Sequence, residues 1–256
     1  MEAPEFSADL YRDITEFAEG TPSWLHTVAE VGTDAGLLLF AALFVVGWWR
    51  ARAGDARAMA LALAAPFAVV AAYLVSEVSK TFLEEERPCR AVRGAVHIAA
   101  CPAPGDWSFP SNHATIAAAS AAVIVVAWRA MAPLVLPMAA LMAFSRVFVG
   151  VHYPHDVAVG FVLGVVVAPL VVVALVAALR PLVESMRGFP MCGTLLGSPP
   201  PVAAGVRGQE SGAERPVMPR AGLDRTAGGG FGGRVDEASV TMPDVMGGVT
   251  RRDPLP

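Results

Sequence analysis

Five apolar blocks divide the middle of the chain, and each is close to the length of a membrane-spanning helix. They cover residues 31–49, 58–79, 113–128, 132–149 and 157–179. About 20 predominantly apolar residues are needed to cross the hydrocarbon core of a bilayer as a helix. We therefore predict an all-α fold, a transmembrane helical bundle of about five spans in which the third and fourth blocks are shorter than ideal.

The polar residues before and after the bundle predict two different kinds of segment. Residues 1–30 are acidic, and their apolar residues recur at helical spacing, as in Leu10, Ile14 and Phe17. This pattern indicates one or two short amphipathic helices, broken near Gly20, that pack on the bundle. A helix on the membrane surface is the alternative, although such helices are usually basic. Whether this segment crosses the membrane stays open.

Residues 188–256 form the third region, after the predicted transmembrane bundle at 31–187. They contain 14 Gly and 9 Pro and show no helical or strand period. A segment of this composition cannot bury enough apolar surface to offset the entropy of ordering it. We predict a disordered tail.

Composition narrows the class of protein further. Of the 256 residues, 55% are apolar and only 16% are charged, against about 25% charged in an average soluble domain. This disfavours a soluble enzyme. The net charge of -4 offers no basic face for nucleic acid, so no nucleic-acid partner is expected.

Arginines orient the predicted bundle. They occur in the link between spans one and two, in the link between spans three and four, and after span five, at Arg50, Arg52, Arg57, Arg129, Arg180 and Arg187. The positive-inside rule makes that side cytoplasmic. The tail then lies in the cytoplasm, and the 80–112 loop and the 150–156 link lie outside in a cell-membrane protein.

Three polar clusters lie beside the apolar blocks, and with five spans they reach one membrane face. They are Lys80 with Arg87-Pro88, then Pro110-Ser111-Asn112-His113, and then Ser145-Arg146 with His152 and Asp156. Ionisable residues next to a membrane core are costly, so they are candidates for function.

The residue types in these clusters suit the binding of a phosphate group. Lys80, Arg87 and Arg146 supply cations and many N–H donors. Ser111 precedes a helix whose free backbone N–H groups, from Asn112 and His113, favour an anion. No glycine-rich loop of the NTPase kind accompanies them, so a nucleotide is not implied.

The two histidines suit phosphoryl transfer through a covalent intermediate. Asp156, four residues after His152, can bind one ring nitrogen and leave the other free to attack phosphorus. His113 can then protonate the leaving oxygen.

These motifs resemble the type 2 phosphatidic acid phosphatase (PAP2) family, in its membrane lipid phosphatase branch. The quoted residues read Lys80-x6-Arg87-Pro88, Pro110-Ser111-Asn112-His113 and Ser145-Arg146-x5-His152-x3-Asp156. The resemblance implies a phosphohistidine on His152, an acid in His113, and phosphate binding by Lys80, Arg87, Ser111, Asn112 and Arg146. It implies no metal and no cofactor. Asn112 stands where the family usually has glycine.

The resemblance implies hydrolysis of a lipid phosphate, and an extracytoplasmic site favours an undecaprenyl-type polyprenyl pyrophosphate that is cleaved to the monophosphate. Phosphatidic acid, phosphatidylglycerol phosphate and a polyprenyl-phosphate sugar phosphate stay open as substrates.

Other classes of protein also stay open. They are a non-catalytic protein that binds or transports a lipid phosphate, and a vanadate-dependent haloperoxidase. A metal site at the histidines is disfavoured, because the three nearby cations would repel a metal ion. As an alternative to phosphate binding, Arg87 and Arg146 could be structural partners of Glu84, Glu85 and Glu86. The oligomeric state is not predicted.

Two cysteines lie in the predicted outer loop. A disulfide between Cys89 and Cys101 would close about 13 residues and stabilise the loop by roughly 3 kcal/mol. An oxidising compartment favours such a bond. Two free thiols are the alternative.

Overall fold

The regular elements of residues 3–197, the part that the computed structural model describes, are all helical. In chain order they are α1 (Glu5–Glu19), α2 (Ser23–Ala51), α3 (Ala56–Leu83), α4 (Pro88–Ala91), α5 (Asn112–Ala127), α6 (Ala132–Phe148), α7 (Pro154–Met186) and α8 (Pro190–Leu196), with a 3₁₀ turn at Arg129–Met131. The predicted all-α membrane fold is confirmed.

The five apolar blocks correspond to α2, α3, α5, α6 and α7. Four of these helices are long and apolar enough to cross a membrane, namely α2, α3, α6 and α7. The fifth, α5, has 16 residues and is therefore about 24 Å long, less than the thickness of a hydrocarbon core of about 30 Å. It packs against α2, α3, α6 and α7 at the centre of the bundle.

Two glycines let α7 approach α5 closely. A Cβ atom added to Gly160 would lie 2.5 Å from the Ser111 carbonyl oxygen, and one added to Gly164 would lie 2.4 Å from the Thr115 carbonyl oxygen. Small residues four apart on one face are a usual means of close packing between membrane helices. This contact places the beginning of α5 beside the beginning of α7, where Asp156 lies.

The N-terminal helix α1 lies on the end of the bundle that carries the polar clusters. Tyr11 is fully buried, and its hydroxyl donates to the Gly150 carbonyl oxygen at 3.0 Å. The chain breaks between residues 19 and 23, as predicted. The second amphipathic segment is not a separate helix, because residues 23–30 form the first turns of α2.

The loop after α3 is covalently closed. Cys89 and Cys101 form a disulfide with Cα atoms 6.0 Å apart. The backbone N–H groups of Ile98 and Ala99 both donate to the Val149 carbonyl oxygen, at 3.0 and 3.2 Å. These bonds fasten the loop to the link between α6 and α7.

At the other end of the bundle, Arg187 joins α7 to the α2–α3 link and to α8. Its guanidinium donates to the carbonyl oxygens of Gly54, Ala51 and Leu196, at 2.9, 3.3 and 2.9 Å. Leu196 is buried against the core. The prediction of disorder from residue 188 is therefore wrong for α8, which these contacts hold in place; the rest of that segment, 198–256, lies outside the described residues.

The close approach of α5 and α7 predicts a strong effect of a single methyl group. Gly164→Ala should lower the free energy of unfolding by about 1–3 kcal/mol, because the added carbon meets backbone atoms that cannot move away. A thermal melt of the detergent-solubilised protein measures this. Gly47→Ala on α2, where an added Cβ meets nothing within 4 Å, is the matched control. Equal melting temperatures of the two variants would contradict the close contact.

Candidate active site

A buried histidine–carboxylate pair lies where α6 passes into α7. His152 is 2% exposed, and its Nδ1 is 3.3 Å from Oδ2 of Asp156, which is fully buried in the first turn of α7. The same oxygen accepts the backbone N–H of Tyr153 at 2.8 Å. Because an ionised carboxylate only accepts hydrogen bonds, Nδ1 carries the proton and Nε2 keeps its lone pair.

Ser108 supports this pair from the loop before α5. Its hydroxyl donates to Asp156 Oδ2 at 2.5 Å and lies 3.4 Å from His152 Nδ1. Its backbone N–H donates to the Glu85 carbonyl oxygen at 2.8 Å, which fixes the serine in the loop. Asp156 is thus held by three donors, and its carboxylate keeps the imidazole in one orientation.

Arg87 contacts the second ring nitrogen of His152, and Lys80 shares a counter-ion with Arg87. Arg87 Nη1 lies 3.1 Å from His152 Nε2 and donates to the Val151 carbonyl oxygen at 3.0 Å. Both cations are 4% exposed. They share the carboxylate of Asp106, whose Oδ1 is 2.9 Å from Arg87 Nη2 and 3.7 Å from Lys80 Nζ. The Asp106 carboxylate is therefore an anion held by the two cations, one of which contacts Nε2 of His152.

The Asp106 carboxylate is held in its ionised form. Burial by itself would raise its pKa, but the hydrogen bond and the charge of Arg87, together with the charge of Lys80, lower the pKa of Asp106 below its ordinary value. This carboxylate is the only counter-ion that Arg87 has among the ion pairs of the described residues. It is where a phosphate oxygen would bind.

Two further donors at this site have no hydrogen-bond partner in the described part of the chain. They are the hydroxyl of Ser111 and Nε of Arg146, and both atoms are buried. The Ser111 side chain does not cap α5. Arg146 is close enough to interact electrostatically with His152 and Arg87. Buried donors without acceptors beside three cations fit an anionic ligand with several oxygens.

The two residues that begin α5 have different neighbours. The Asn112 side chain accepts a hydrogen bond from the Ser76 hydroxyl at 2.8 Å and donates to Glu77 Oε2 at 2.5 Å. Its amide therefore joins α5 to α3, and only its backbone N–H remains for the anion. His113 points toward α2, where its Nε2 lies 3.5 Å from Oδ1 of Asp34.

His155 extends the hydrogen-bond network to α1. Its Nε2 lies 3.0 Å from Glu85 Oε1 and 3.2 Å from Asp156 Oδ1, and its Nδ1 is 2.8 Å from the Ser7 hydroxyl. Burial is the main cause that raises the pKa of Glu85, and the nearby Asp156 charge adds to it. His155 belongs to none of the sequence motifs, so its contact with the Asp156 carboxylate was not predicted.

Within residues 3–197, one group of three side chains could hold a metal ion. Their ligand atoms, from Glu85, His155 and Asp156, lie within 4.8 Å of one another. The His155 nitrogen already lies between the two carboxylates, and Asp156 already orients His152. We interpret the group as a hydrogen-bond network.

The structure thus brings the residues of all three sequence clusters together. Lys80, Arg87, His152 and Asp156 form one connected chain of contacts, and Ser111, Asn112, His113 and Arg146 surround it. Glu77, one helical turn before Lys80 on α3, also pairs with it, with Oε2 3.9 Å from Nζ. The sequence analysis missed Asp106, Ser108 and Asp34. Ser108 and Asp106 lie just before the second motif, which is a signal that could have directed attention to them.

Comparison with known proteins gives a family match over the helices that carry the site. The model of the PAP2 superfamily matches residues 60–180. An undecaprenyl-diphosphatase of Sulfolobus acidocaldarius is 38% identical over 98 residues, which are 37% of this chain and 46% of that protein. A decaprenylphosphoryl-5-phosphoribose phosphatase of Mycobacterium tuberculosis is 44% identical over 68 residues, 27% of this chain and 37% of the relative. The chain therefore matches less than half of the length of each relative.

Two solved structures of membrane enzymes are similar to part of this chain. A transmembrane PAP2 type phosphatidylglycerolphosphate phosphatase from Bacillus subtilis has a TM-score of 0.48 and 24% identity, and covers 64% of this chain and 83% of that one. LpxE from Aquifex aeolicus has a TM-score of 0.46 and 22% identity, with 64% and 92% covered.

The burial of His152 predicts that it stays neutral in mild acid. Burial, with a smaller contribution from the Arg87 charge, lowers the pKa of His152 to about 3, although the hydrogen bond to Asp156 acts in the opposite direction. At pH 5 the folded protein should therefore retain a neutral imidazole with the proton on Nδ1. In the unfolded chain the same residue takes up a proton below about pH 6.5, so its contribution to stability falls as the pH drops through that value.

Long-range ¹⁵N–¹H NMR of histidine-labelled protein in detergent measures this protonation state, and His152→Gln assigns the signal. A doubly protonated His152 at pH 5 would contradict the prediction.

Because the Asp106 carboxylate is paired with Arg87 and Lys80, we expect it to compete with phosphate for these two cations. Asp106→Asn should bind inorganic phosphate about ten-fold more tightly, because one negative charge that repels the ligand is removed while both cations remain. Isothermal titration calorimetry measures the affinity. Asp9→Asn, which changes an exposed carboxylate paired with Arg12 on α1, is the charge-matched control. Weaker phosphate binding in Asp106→Asn would show instead that Asp106 holds the cations in their binding positions.

Proposed function

We propose that this membrane protein is a phosphatase of the PAP2 superfamily, whose model matches residues 60–180, and that it hydrolyses a lipid phosphate through a phosphohistidine. One observation carries the proposal. The Nε2 atom of His152, whose other nitrogen is held by Asp156, faces the cations that bind an anion. Binding alone needs cations, but it does not need an oriented imidazole beside them. This arrangement therefore favours a catalytic protein over a lipid-phosphate carrier.

In the first step the phosphate group replaces the Asp106 carboxylate. Arg87 moves its hydrogen bond, and Lys80 its ion pair, from the Asp106 carboxylate to phosphate oxygens. Arg146 supplies its Nε–H, which has no partner among the described residues. The Ser111 hydroxyl and the first N–H groups of α5 complete the binding site. Fixed cations then stabilise the charge that develops on the transferring group, which is the role proposed for them in place of a metal.

In the second step a nitrogen–phosphorus bond forms and an oxygen–phosphorus bond breaks. Nε2 of His152 attacks phosphorus, and the bond to the leaving oxygen of the lipid or lipid monophosphate is cleaved. His113 donates a proton to that oxygen, and Asp156 stabilises the positive charge on His152. Water then attacks the phosphohistidine while His113 accepts its proton. Phosphate is released, and His152 returns to its neutral form.

A polyprenyl diphosphate, cleaved to the monophosphate, is the substrate that we propose. Both curated relatives are named for substrates that carry a polyprenyl chain, an undecaprenyl diphosphate and a decaprenylphosphoryl sugar phosphate. The site lies at the ends of apolar helices, where the head group of such a lipid would reach it from the bilayer.

The extracytoplasmic face is the proposed location of the site. The arginines at the opposite end of the bundle favour a cytoplasmic location for that end, and the tail would follow from it. The disulfide of Cys89 and Cys101 lies in the loop that carries Arg87, and disulfides persist in oxidising compartments. Both observations support the same orientation.

Phosphate release by the purified protein tests the proposal. With EDTA present, polyprenyl diphosphate should be hydrolysed faster than phosphatidic acid, and His152→Ala should lower kcat by at least about 10³-fold, because the covalent route is lost. Acid-labile ³²P on the wild-type protein, absent in the variant, identifies the phosphohistidine.

The control is His97→Ala, which changes a histidine of the same loop that contacts the Ala99 carbonyl oxygen and none of the proposed catalytic residues. Faster hydrolysis of phosphatidic acid would overturn the proposed substrate. Activity that persists in His152→Ala would overturn the proposed mechanism.

A further inference from the structure

An apolar groove of about 860 Å³ runs between α2 and α6 on the outside of the bundle. Its walls include Gly32, Gly36 and Leu39 on α2 and Pro137, Leu141 and Ser145 on α6. None of its lining residues is charged, although it begins beside a site that is rich in charge. A groove of this kind suits a hydrocarbon chain.

One end of the groove lies next to His113, the proposed acid. Thr33 and Ser145 both line it there, and a hydrogen bond joins their hydroxyl oxygens, which are 2.5 Å apart. The residue after Thr33 is Asp34, which contacts His113, and the residue after Ser145 is Arg146. The groove therefore starts next to the two helices that bring His113 and Arg146 into the site.

The proposed reaction predicts on which side of the site the lipid chain of the leaving group lies. A general acid must lie beside the oxygen that it protonates, and in the proposed reaction the lipid chain is attached on that side of the phosphate. His113 faces α2, whereas His152 lies on the side of Arg87 and Asp156. The chain of the substrate should therefore leave the site toward α2, where the groove begins.

The groove is long enough to hold a chain across one leaflet. Its α6 lining runs from Pro133 to Phe148, about 22 Å at 1.5 Å per residue. This exceeds half of a hydrocarbon core of about 30 Å. The groove is single, and a polyprenyl lipid has a single chain, whereas a phospholipid has two.

We infer that the groove between α2 and α6 binds the first isoprene units of the polyprenyl chain of the substrate, and so selects the chain while the cations select the phosphate. This inference rests on the proposed function. It assigns to α2, which lies entirely outside the matched family region, a role in recognising the substrate.

A substitution that fills the groove tests the inference. A Cβ added to Gly32 meets nothing within 4 Å, so Gly32→Phe should place its ring in the groove without disturbing the helix. The measurement is the ratio of kcat/KM for a long polyprenyl diphosphate to kcat/KM for a diphosphate with a single isoprene unit. The ratio should fall about ten-fold, through a higher KM of the long substrate, because several buried methylene contacts are lost.

Gly47→Phe is the matched control. Gly47 lies on the same helix, an added Cβ there also meets open space, and the residue does not line the groove. Its ratio should equal that of the wild type. An unchanged ratio in folded Gly32→Phe would overturn the inference. If that variant also dissociated a dimer, a second copy of the chain would be the occupant of the groove.

Cross-linking decides the matter even if Gly32→Phe fails to fold. A photoreactive benzoylphenylalanine at Leu141, in the His152→Ala background that keeps the substrate intact, should capture radiolabelled polyprenyl diphosphate. The control position is Leu38, which is as exposed as Leu141, at 74% against 69%, but does not line the groove. Equal capture at both positions would indicate an ordinary lipid contact and overturn the inference.

The two proposals fail in different ways. If the wild type hydrolyses neither diphosphate, the proposed function is wrong. If it hydrolyses both, and neither the substitution nor the cross-link distinguishes the groove, only the inference about the chain is wrong.

Discussion

The geometry of this site depends on one buried carboxylate. Asp156 has no solvent exposure, and it accepts hydrogen bonds from the Tyr153 backbone, the Ser108 hydroxyl and the His152 ring. The first of these bonds helps to begin α7, the second holds the loop before α5, and the third sets the tautomer of His152. A single side chain therefore couples the start of a membrane helix to the orientation of the proposed nucleophile. An unpaired buried carboxylate is costly, so these bonds are needed together.

The close packing of α5 and α7 also positions the site, through a backbone hydrogen bond between the two helices. The Ser111 N–H donates to the Asp156 carbonyl oxygen at 3.1 Å, and this is feasible because Gly160 has no side chain that would collide with Ser111. The N-terminus of α5, with its free N–H groups, is thereby placed beside the N-terminus of α7. Anion binding and orientation of the histidine thus arise from one helix contact.

The residues of the site that share an element or a motif were predictable from the sequence, and those that arrive from elsewhere were not. His152 and Asp156 are four residues apart at the start of a helix, so their contact follows from local geometry. Asp106 lies in an irregular loop, where no periodicity shows which way a side chain points. Asp34 is on a helix whose register against α5 depends on packing across the whole bundle. Likewise, α8 is ordered by Arg187, a contact that composition does not reveal.

Asn112 shows how tertiary contacts can change the meaning of a motif position. Its place next to Ser111 and His113 pointed to the phosphate, but its amide bonds to Ser76 and Glu77 on α3. The motif retains the backbone N–H that an anion needs, and the side chain instead fixes the distance between α3, which carries Lys80, and α5, which carries His113. The substitution of glycine by asparagine at this position therefore adds a tie between the helix of a cation and the helix of the proposed acid. Because the proposed catalysis by fixed cations depends on their spacing, we expect this bond to support the site through the position of α3 relative to α5.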